Sequence, residues 1–417
     1  VKITIRILNL AYVPHSISQI TAYYEKFIPF IAVGAICTLL TMSCTSNGSK
    51  ATSENPSQYL TDSEKIEMVH SLRTVDGDRF LEMDYTLDYK LDDLIEFDAN
   101  SYDKLIQFMT ENLLDVMPDH SMAIGTASGC SAYAATDPAT SEKYFGRNYD
   151  FCHVEDGTEV PITAIMVNIV PENGKKSINM VDAYWLGYHK GFYNDGQSDL
   201  SMLMGAPYTV LDGMNEDGFA MGILHLGGNP TAQVDPAKKS LWCNVLIRAL
   251  LDKAGSVDEA IELAKNFNVN MVNPALGNDH FFLADAEGNY AILEYTFAED
   301  EKKPEEATPN RMLVLDDPEH SYVTNFYVDP MLADNDVFGG KAIRGKYRYE
   351  ILEGTLKLNA YKLTYEQARD LLKAVSTPSN PEENTSHTQW SALYNLSQRT
   401  MDISILQEFE KKYSFSL

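Results

Sequence analysis

The sequence predicts an α+β fold built of layers, and three observations carry that expectation. Hydrophobic periodicity changes after Cys130 from a helical repeat to a repeat of two. Strand-like runs then come in blocks, several of them joined by glycine-containing turns. Helical patterns are grouped between those blocks instead of alternating with them one for one, which suggests stacked layers and not a series of βαβ crossovers.

The first stretch reads as a processing signal. Lys26 is followed by an apolar run from Phe27 to Met42 and then by Ser43-Cys44-Thr45-Ser46-Asn47. That run is shorter than the ~20 residues of a membrane-spanning helix. Residues 1–44 are therefore expected to be a signal peptide ending at a lipoprotein-type cysteine, with Cys44 the residue to be lipidated. An ordinary signal peptide or an uncleaved anchor is the alternative. The Ser-, Asn- and Thr-rich residues from 45 to about 58 suit a flexible tether. From Ser63 to Met117 the pattern is mostly helical and acidic, with an amphipathic stretch near Ser101 to Val116. It is expected to be a pro-segment packed against the body, so that 45–129 is tether and pro-segment and 130–417 a single domain.

Within that domain, strands are expected over Lys143 to Phe151, Thr163 to Val170, Phe219 to Leu226, His280 to Ala284 and Tyr290 to Thr296. Asp285-Ala286-Glu287-Gly288-Asn289 is a hairpin signal between the last two. Leu241 to Ala254 reads as a helix with one apolar face. Capping boxes at Ser256–Glu259 and Thr364–Gln367 open two more. Glu299 to Pro309 and Thr377 to Thr385 read as loops.

Composition narrows the function. A formal net charge of −27 over 417 residues excludes nucleic acid and an anionic membrane surface as partners, since both need basic patches. The membrane is expected to be met only through the lipid anchor, in a cell-envelope location. Of the five cysteines, Cys37 and Cys44 belong to the signal region. Cys130, Cys152 and Cys243 remain, so at least one thiol stays free. Cys152 and Cys243 read as small buried residues. No metal, phosphate or nicotinamide-binding motif is present, and no cofactor is expected.

Cys130 follows Gly129 and precedes Ser131. If the bond before it is cut, one residue carries both a thiol and an α-amine of pKa about 7.7–8.0. Such an amine is well placed to be a general base at neutral pH. Gly129-Cys130-Ser131, Gly146-Arg147-Asn148-Tyr149-Asp150-Phe151 and Asp212-Gly213-Met214-Asn215-Glu216-Asp217-Gly218 occur in that order. Val323-Thr324-Asn325-Phe326, Lys346-Tyr347-Arg348-Tyr349 and His387-Thr388-Gln389-Trp390-Ser391 follow. Over 130–417 the chain resembles the choloylglycine hydrolase family, which includes bile salt hydrolases and penicillin V acylases.

The resemblance implies an N-terminal-nucleophile hydrolase, an αββα sandwich of two antiparallel sheets between helical layers, matured by self-cleavage at Gly129–Cys130. It implies a small N-acyl amide as substrate. Cys130 would be the nucleophile, Asp150 the carboxylate that holds its amine, and Arg147 the cation beside the thiol. Asn325 would help hold the oxyanion together with the backbone N–H of His225, and Arg348 would support the network, with Arg344 close enough to be the equivalent. Arg147 and Asp150 also admit a plain ion pair. His225 departs from the family, which has Asn or Tyr there, so its side chain either shapes the acyl pocket or is a satisfied core histidine. Asn215 reads as turn chemistry. Tyr184, Trp185, Tyr188, Phe192 and Tyr193 either line an acyl site or are ordinary core. Acyl transfer, Cys-His hydrolysis through His225, His280 or His387, and a non-catalytic envelope lipoprotein are the competing readings. A homo-oligomer is compatible with the family.

Overall fold

The computed structural model describes residues 54–116, 127–155, 158–160, 162–227, 233, 235–271, 278–296, 311–329, 343–378 and 387–417. The expected signal segment with Cys44, the tether up to residue 53, the loop 299–309 and most of the loop 377–385 lie outside them.

The chain enters through helix α1 (Ser63–Val69), capped by the Asp62 side chain on Glu64 N, and then forms strands β1 (Arg73–Asp76) and β2 (Phe80–Tyr85). Helices α2 (Leu91–Glu96) and α3 (Tyr102–Asn112) complete this N-terminal segment, the second capped by Ser101. The main body follows with β3 (Ala127–Thr136), β4 (Lys143–Glu155), β5 (Thr158–Val160), β6 (Ala164–Ile169), β7 (Ser177–Asp182), β8 (Val210–Asn215), β9 (Ala220–Gly227) and β10 (Lys239–Trp242). Next come α4 (Cys243–Lys253), α5 (Val257–Ala264), β11 (Phe267–Asn270), β12 (Asn278–Ala284), β13 (Tyr290–Thr296), β14 (Arg311–Leu315) and β15 (Tyr322–Val323). Helices α6 (Ile343–Leu358) and α7 (Tyr365–Ala374) precede β16 (His387–Asn395), β17 (Thr400–Ile405) and β18 (Tyr413–Ser416).

Two large sheets result. One has nine strands in the order β1-β2-β6-β7-β8-β9-β12-β13-β14, and the other is ordered β15-β3-β4-β16-β17-β18 with β5 attached to β4. Every pairing in them is antiparallel except β2 with β6. Helix α4 packs on β8 and β9, while α6 and α7 pack on β3, β4, β15 and β16. This is the αββα sandwich.

The pleat of β3 shows how the layers are sorted. Ala132 and Ala134 belong to the core between the sheets, and Tyr133 and Ala135 to the smaller core under α6 and α7. Cys130 keeps that parity and faces the opposite sheet. Phe145 of β4 stacks on Phe282 of β12 across the interface, with ring centroids 5.8 Å apart.

Several expectations need correction. The segment before Cys130 is not mostly helical: Phe80–Tyr85 is a strand, and it lies parallel to β6 inside the nine-stranded sheet. Phe80, Leu81, Met83 and Tyr85 are fully buried in the main core. The alternation of apolar and acidic residues in Phe80-Leu81-Glu82-Met83-Asp84-Tyr85 is a strand signal that the surrounding acidic composition obscured. At Ser256 the box is incomplete. Ser256 caps Glu259 N, but the Glu259 carboxylate reaches Gly255 N at 2.7 Å instead of the N-cap. The Thr364–Gln367 box is reciprocal as expected. Leu241 and Trp242 belong to β10, not to the helix. In the 285–289 hairpin, Asp285 Oδ1 accepts from Glu287 N and Asn289 N.

Because β2 is built into the core, Leu81→Ala should destabilise the protein by about 2–5 kcal/mol, as a buried core truncation does. Urea unfolding followed by fluorescence measures it. A dispensable segment would show no change in the midpoint.

Candidate active site

Antiparallel pairing sets Gly129 opposite Asp150 and Cys130 opposite Tyr149. Arg147 and Asp150, three residues apart on one strand, must then point to opposite faces of the sheet. The structure bears this out, so the two do not pair with each other. Arg147 lies between the sheets and is fully buried. Its Nη2 donates to Ile223 O and its Nη1 to Asn148 O, both at 2.6 Å, and its Nε is 3.7 Å from Asp212 Oδ2. A Cβ at Gly222 would come within 3.1 Å of that Nε, so β9 passes the guanidinium closely and a larger residue there would press on it.

Asp150 lies on the helix side. Arg348 Nη1 donates to its Oδ2 at 2.9 Å, Thr388 Oγ1 donates to Oδ1, and Thr377 Oγ1 reaches Oδ2 at 3.3 Å. Arg348 is the hub. The same Nη1 donates to the carbonyl of Cys130, and Nη2 donates to Asn325 Oδ1 at 2.7 Å. In the intact chain the nitrogen of Cys130 donates to Asn325 Oδ1 at 2.5 Å, and Asn325 Nδ2 donates to His225 O at 2.6 Å. Asp150 thus reaches Cys130 through Arg348, and Asn325 is the direct partner of the Cys130 nitrogen. The side chain of Arg344, the other candidate arginine, lies outside those described.

The Cys130 thiol is buried, and that burial pushes its pKa up. The adjacent Arg147 guanidinium pulls it back by favouring the thiolate, while the charge of Asp150 adds to the upward push. Burial also raises the Asp212 carboxyl, and Arg147, Tyr394 and Trp390 counter it. Cys130, Cys152 and Cys243 are all free thiols.

The cavity beside Cys130 has a volume of about 850 Å³, part of it open to solvent. Tyr149, Phe151, Tyr208, Leu211, Ile223 and Trp242 make its wall largely apolar. Tyr102 and Leu105 of α3 complete it from the N-terminal segment. Of the five aromatics considered from sequence, only Trp185 lines the cavity. Tyr184 stacks on His153 at 3.6 Å, and Tyr188 stacks on Phe192 at 4.3 Å. His225 lines the cavity as well, its Nδ1 3.4 Å from Asp279 Oδ1, and is not a satisfied core histidine. Asn215 is spent on structure: it accepts from Asp217 N and Phe219 N and donates to Leu251 O and Ala254 O.

Three buried polar groups support the site in roles the sequence did not assign to them, although His280 was considered as a base and Asp212 lies in the 212–218 motif. Asp212 accepts from Trp390 Nε1 at 3.1 Å and from Tyr394 OH while facing Arg147 across the sheets. His280 and Glu294 face each other on β12 and β13, 3.0 Å apart. His280 Nε2 meets Thr324 O at 2.8 Å, so it must carry the proton. Glu294 accepts from Val328 N and Asp329 N at 2.8 and 2.9 Å. Together they clamp both ends of the 324–329 segment that presents Asn325. The signal in each case was a polar residue at an inward position of a strand, as in Asp212 of Val210–Asn215.

The family model for acyl-coenzyme A:6-aminopenicillanic acid acyl-transferase matches residues 139–408. The chain belongs to this family. The match begins beyond Cys130, so the place of that thiol comes from the geometry above. Two variants of the conjugated bile acid hydrolase from Clostridium perfringens are similar in structure at 15% identity, covering 69% of this chain and 92% of theirs, with TM-scores of 0.45 and 0.47. Penicillin V acylase from Agrobacterium tumefaciens is similar at 16% identity, covering 66% of this chain and 83% of its own, with a TM-score of 0.44. No curated protein matches the sequence.

Removing the cation beside Cys130 should raise the thiol pKa further, because thiolate loses its nearest opposite charge. The rate of iodoacetamide alkylation at Cys130 should therefore rise at higher pH in Arg147→Gln than in wild type. Site-resolved mass spectrometry reads this, and an unmoved or acid-shifted profile would contradict it.

Proposed function

We propose that the protein is an amidase that cleaves linear, non-peptide C–N bonds of N-acyl compounds through Cys130 as a freed N-terminal residue. The observation that carries this reading is the convergence of Arg348, Asp150 and Asn325 on the backbone of Cys130 while its thiol faces Arg147 and an apolar cavity. Backbone-directed contacts of this kind suit a residue whose own nitrogen takes part in the chemistry.

Maturation would begin with attack of Cys130 Sγ on the carbonyl of Gly129. The chain shifts from nitrogen to sulfur, and water hydrolyses the thioester to leave a carboxylate at Gly129 and a free amine at Cys130. In turnover that amine takes the thiol proton as sulfur attacks the substrate carbonyl, and it gives the proton to the departing amine as the C–N bond breaks. Water, deprotonated by the same amine, frees the acid. Asn325 Nδ2 spends one N–H on His225 O and carries a second that can donate to the developing oxyanion, a role in which one donor is worth ~10²–10³ in rate. The aromatic and aliphatic wall of the cavity favours an apolar acyl group over a polar one.

The family model bears the name of an acyltransferase, so transfer of the acyl group to an amine is the second reading. It proceeds through the same thioester and differs only in the acceptor. Product analysis with and without an added amine separates the two.

Three contacts indicate that the N-terminal segment stays after cleavage: β2 within the sheet, Tyr89 OH on Asp252 Oδ2 at 2.6 Å, and Trp242 N on Ala99 O at 2.8 Å. Denaturing intact-mass analysis of wild type should show two fragments parted at Gly129–Cys130, and native mass analysis one complex. Cys130→Ala should show a single uncut chain without amide turnover. An uncut wild type that turns over amides as fast as the variant would end the reading. His280→Gln should lower turnover of the folded enzyme by about 10²-fold with KM little changed, since a shift of Asn325 on the order of 1 Å carries that cost. Steady-state kinetics normalised to the folded fraction measure it, and an unchanged kcat would show His280 to be structural only.

A further inference from the structure

Asp279 is the sole carboxylate among the described residues that line the cavity, and no lysine or arginine is among them. Its side chain is 16% exposed. Its oxygens meet His225 Nδ1 at 3.4 Å and Cys243 Sγ at 3.7 Å, both at the long end for such bonds. An ionised carboxylate offers about four acceptor sites and cannot donate. The other two carboxylates near the nucleophile each have an arginine beside them as well as shorter hydrogen bonds: Asp150 accepts from Arg348, Thr388 and Thr377, and Asp212 accepts from Trp390 at 3.1 Å and from Tyr394 with Arg147 Nε 3.7 Å away. Asp279 therefore stands out as a charged acceptor with open capacity on an otherwise apolar wall, an arrangement that costs free energy until a donor fills it.

Its place ties it to the reaction. Asp279 pairs with His225 across β12 and β9. The His225 carbonyl takes Asn325 Nδ2, and Asn325 Oδ1 takes the Cys130 nitrogen. The groups facing Asp279 are the His225 ring and the start of α4 at Cys243 and Asn244, where the N-cap Trp242 gives no side-chain hydrogen bond. The positive end of that helix offsets part of the burial cost of the carboxylate. Among the described residues its backbone N–H groups supply no hydrogen bond to it; the one contact from the helix is the long one from Cys243 Sγ.

We propose that Asp279 determines specificity: it selects amides that carry a hydrogen-bond donor, ammonium or hydroxyl, close to the scissile bond, and disfavours those with a carboxylate or sulfonate there. This rests on the amidase reading above. The donor fills the open oxygens at charge-assisted strength. An anion at the same place meets a like charge and, among the described residues, no cation.

The test uses dodecanoyl amides that differ only in the amine: 1,2-diaminoethane, ethanolamine, glycine and taurine. For the cleaved wild-type enzyme kcat/KM is measured, and for the uncut Cys130→Ala protein binding is measured by calorimetry. Both donor-bearing amides should exceed the two anionic ones by about tenfold or more. Their order relative to each other tells whether charge or the hydrogen bond is read. Asp279→Asn, with Asp279→Ser as a second variant should the first fail to fold, should bring the donor-to-anion ratio to within about threefold of unity. Glycine and taurine conjugates used as well as the others, or a uniform loss across the series in both variants, would overturn the proposal. Absence of turnover in every arm with an uncut wild type would instead overturn the amidase reading. The binding order at Cys130→Ala would then still decide the role of Asp279.

Discussion

The guanidinium of Arg348 is the constraint on which the site depends. It projects from α6 and fixes three partners at once: the Cys130 carbonyl, the Asp150 carboxylate and the Asn325 side-chain oxygen. Only a planar fork of donors can meet three acceptors in a fixed geometry, which is why lysine would not replace it. The position is nearly buried, and an unpaired cation there would be costly. Asp150 supplies the counter-charge, and Thr388 and Thr377 occupy acceptor sites that Arg348 leaves. One buried pair thereby locks a helix of the outer layer to the two strands that carry Cys130 and Asp150.

The same logic applies on the other face of β4. Arg147 has its own counter-ion, Asp212, held by Trp390 and Tyr394 of β16. The two arginines divide the work: one sits over the backbone of Cys130 and the other beside its sulfur. A single arginine could not do both, because the sheet separates the two sides of the residue. The N-terminal segment closes the arrangement, since Tyr102 and Leu105 form cavity wall and β2 forms sheet. In chemistry that separates the chain at Gly129, cohesion of the two pieces comes from the roughly 25 cal/mol per Å² of buried apolar surface, not from the peptide bond.

Much of the core of the site was legible through the family resemblance, which is carried by short local motifs. Arg147, Asp150, Asn325 and Arg348 were each named because their runs match such motifs, and the structure brings them together around Cys130. The hairpin at 285–289 and the Thr364–Gln367 box were legible because turn and cap chemistry is local. What was not legible is long-range. His280, Glu294 and Asp212 are single polar residues on strands, and a polar residue in a period-two pattern looks the same whether it faces water or a buried partner. The 285–289 turn fixes the β12–β13 register, but the stacking of the sheets, which buries His280 and Glu294 and sets Asp212 against Arg147, leaves no local trace. Strand β2 was hidden by its acidic surroundings: its hairpin partner β1 is only four residues, Arg73–Asp76, and its other partner, β6, lies beyond Cys130 and pairs in parallel.

The spacing of Arg147 and Asp150 shows how a period can decide between readings. On a helix, residues three apart share a face, and an arginine and an aspartate at that spacing would most simply neutralise each other. On a strand, three is an odd number, and the pleat sends them to opposite sides. The pairing of β4 with β3 then places Cys130 where the two sides meet, with its thiol on the Arg147 side and its carbonyl toward Arg348. Inserting or deleting one residue between 147 and 150 would bring the two charges to one face and leave Asp212 or Arg348 without a partner. The three-residue interval is therefore a requirement of strand geometry, and it keeps two buried ion pairs apart so that each can hold a different part of the same cysteine.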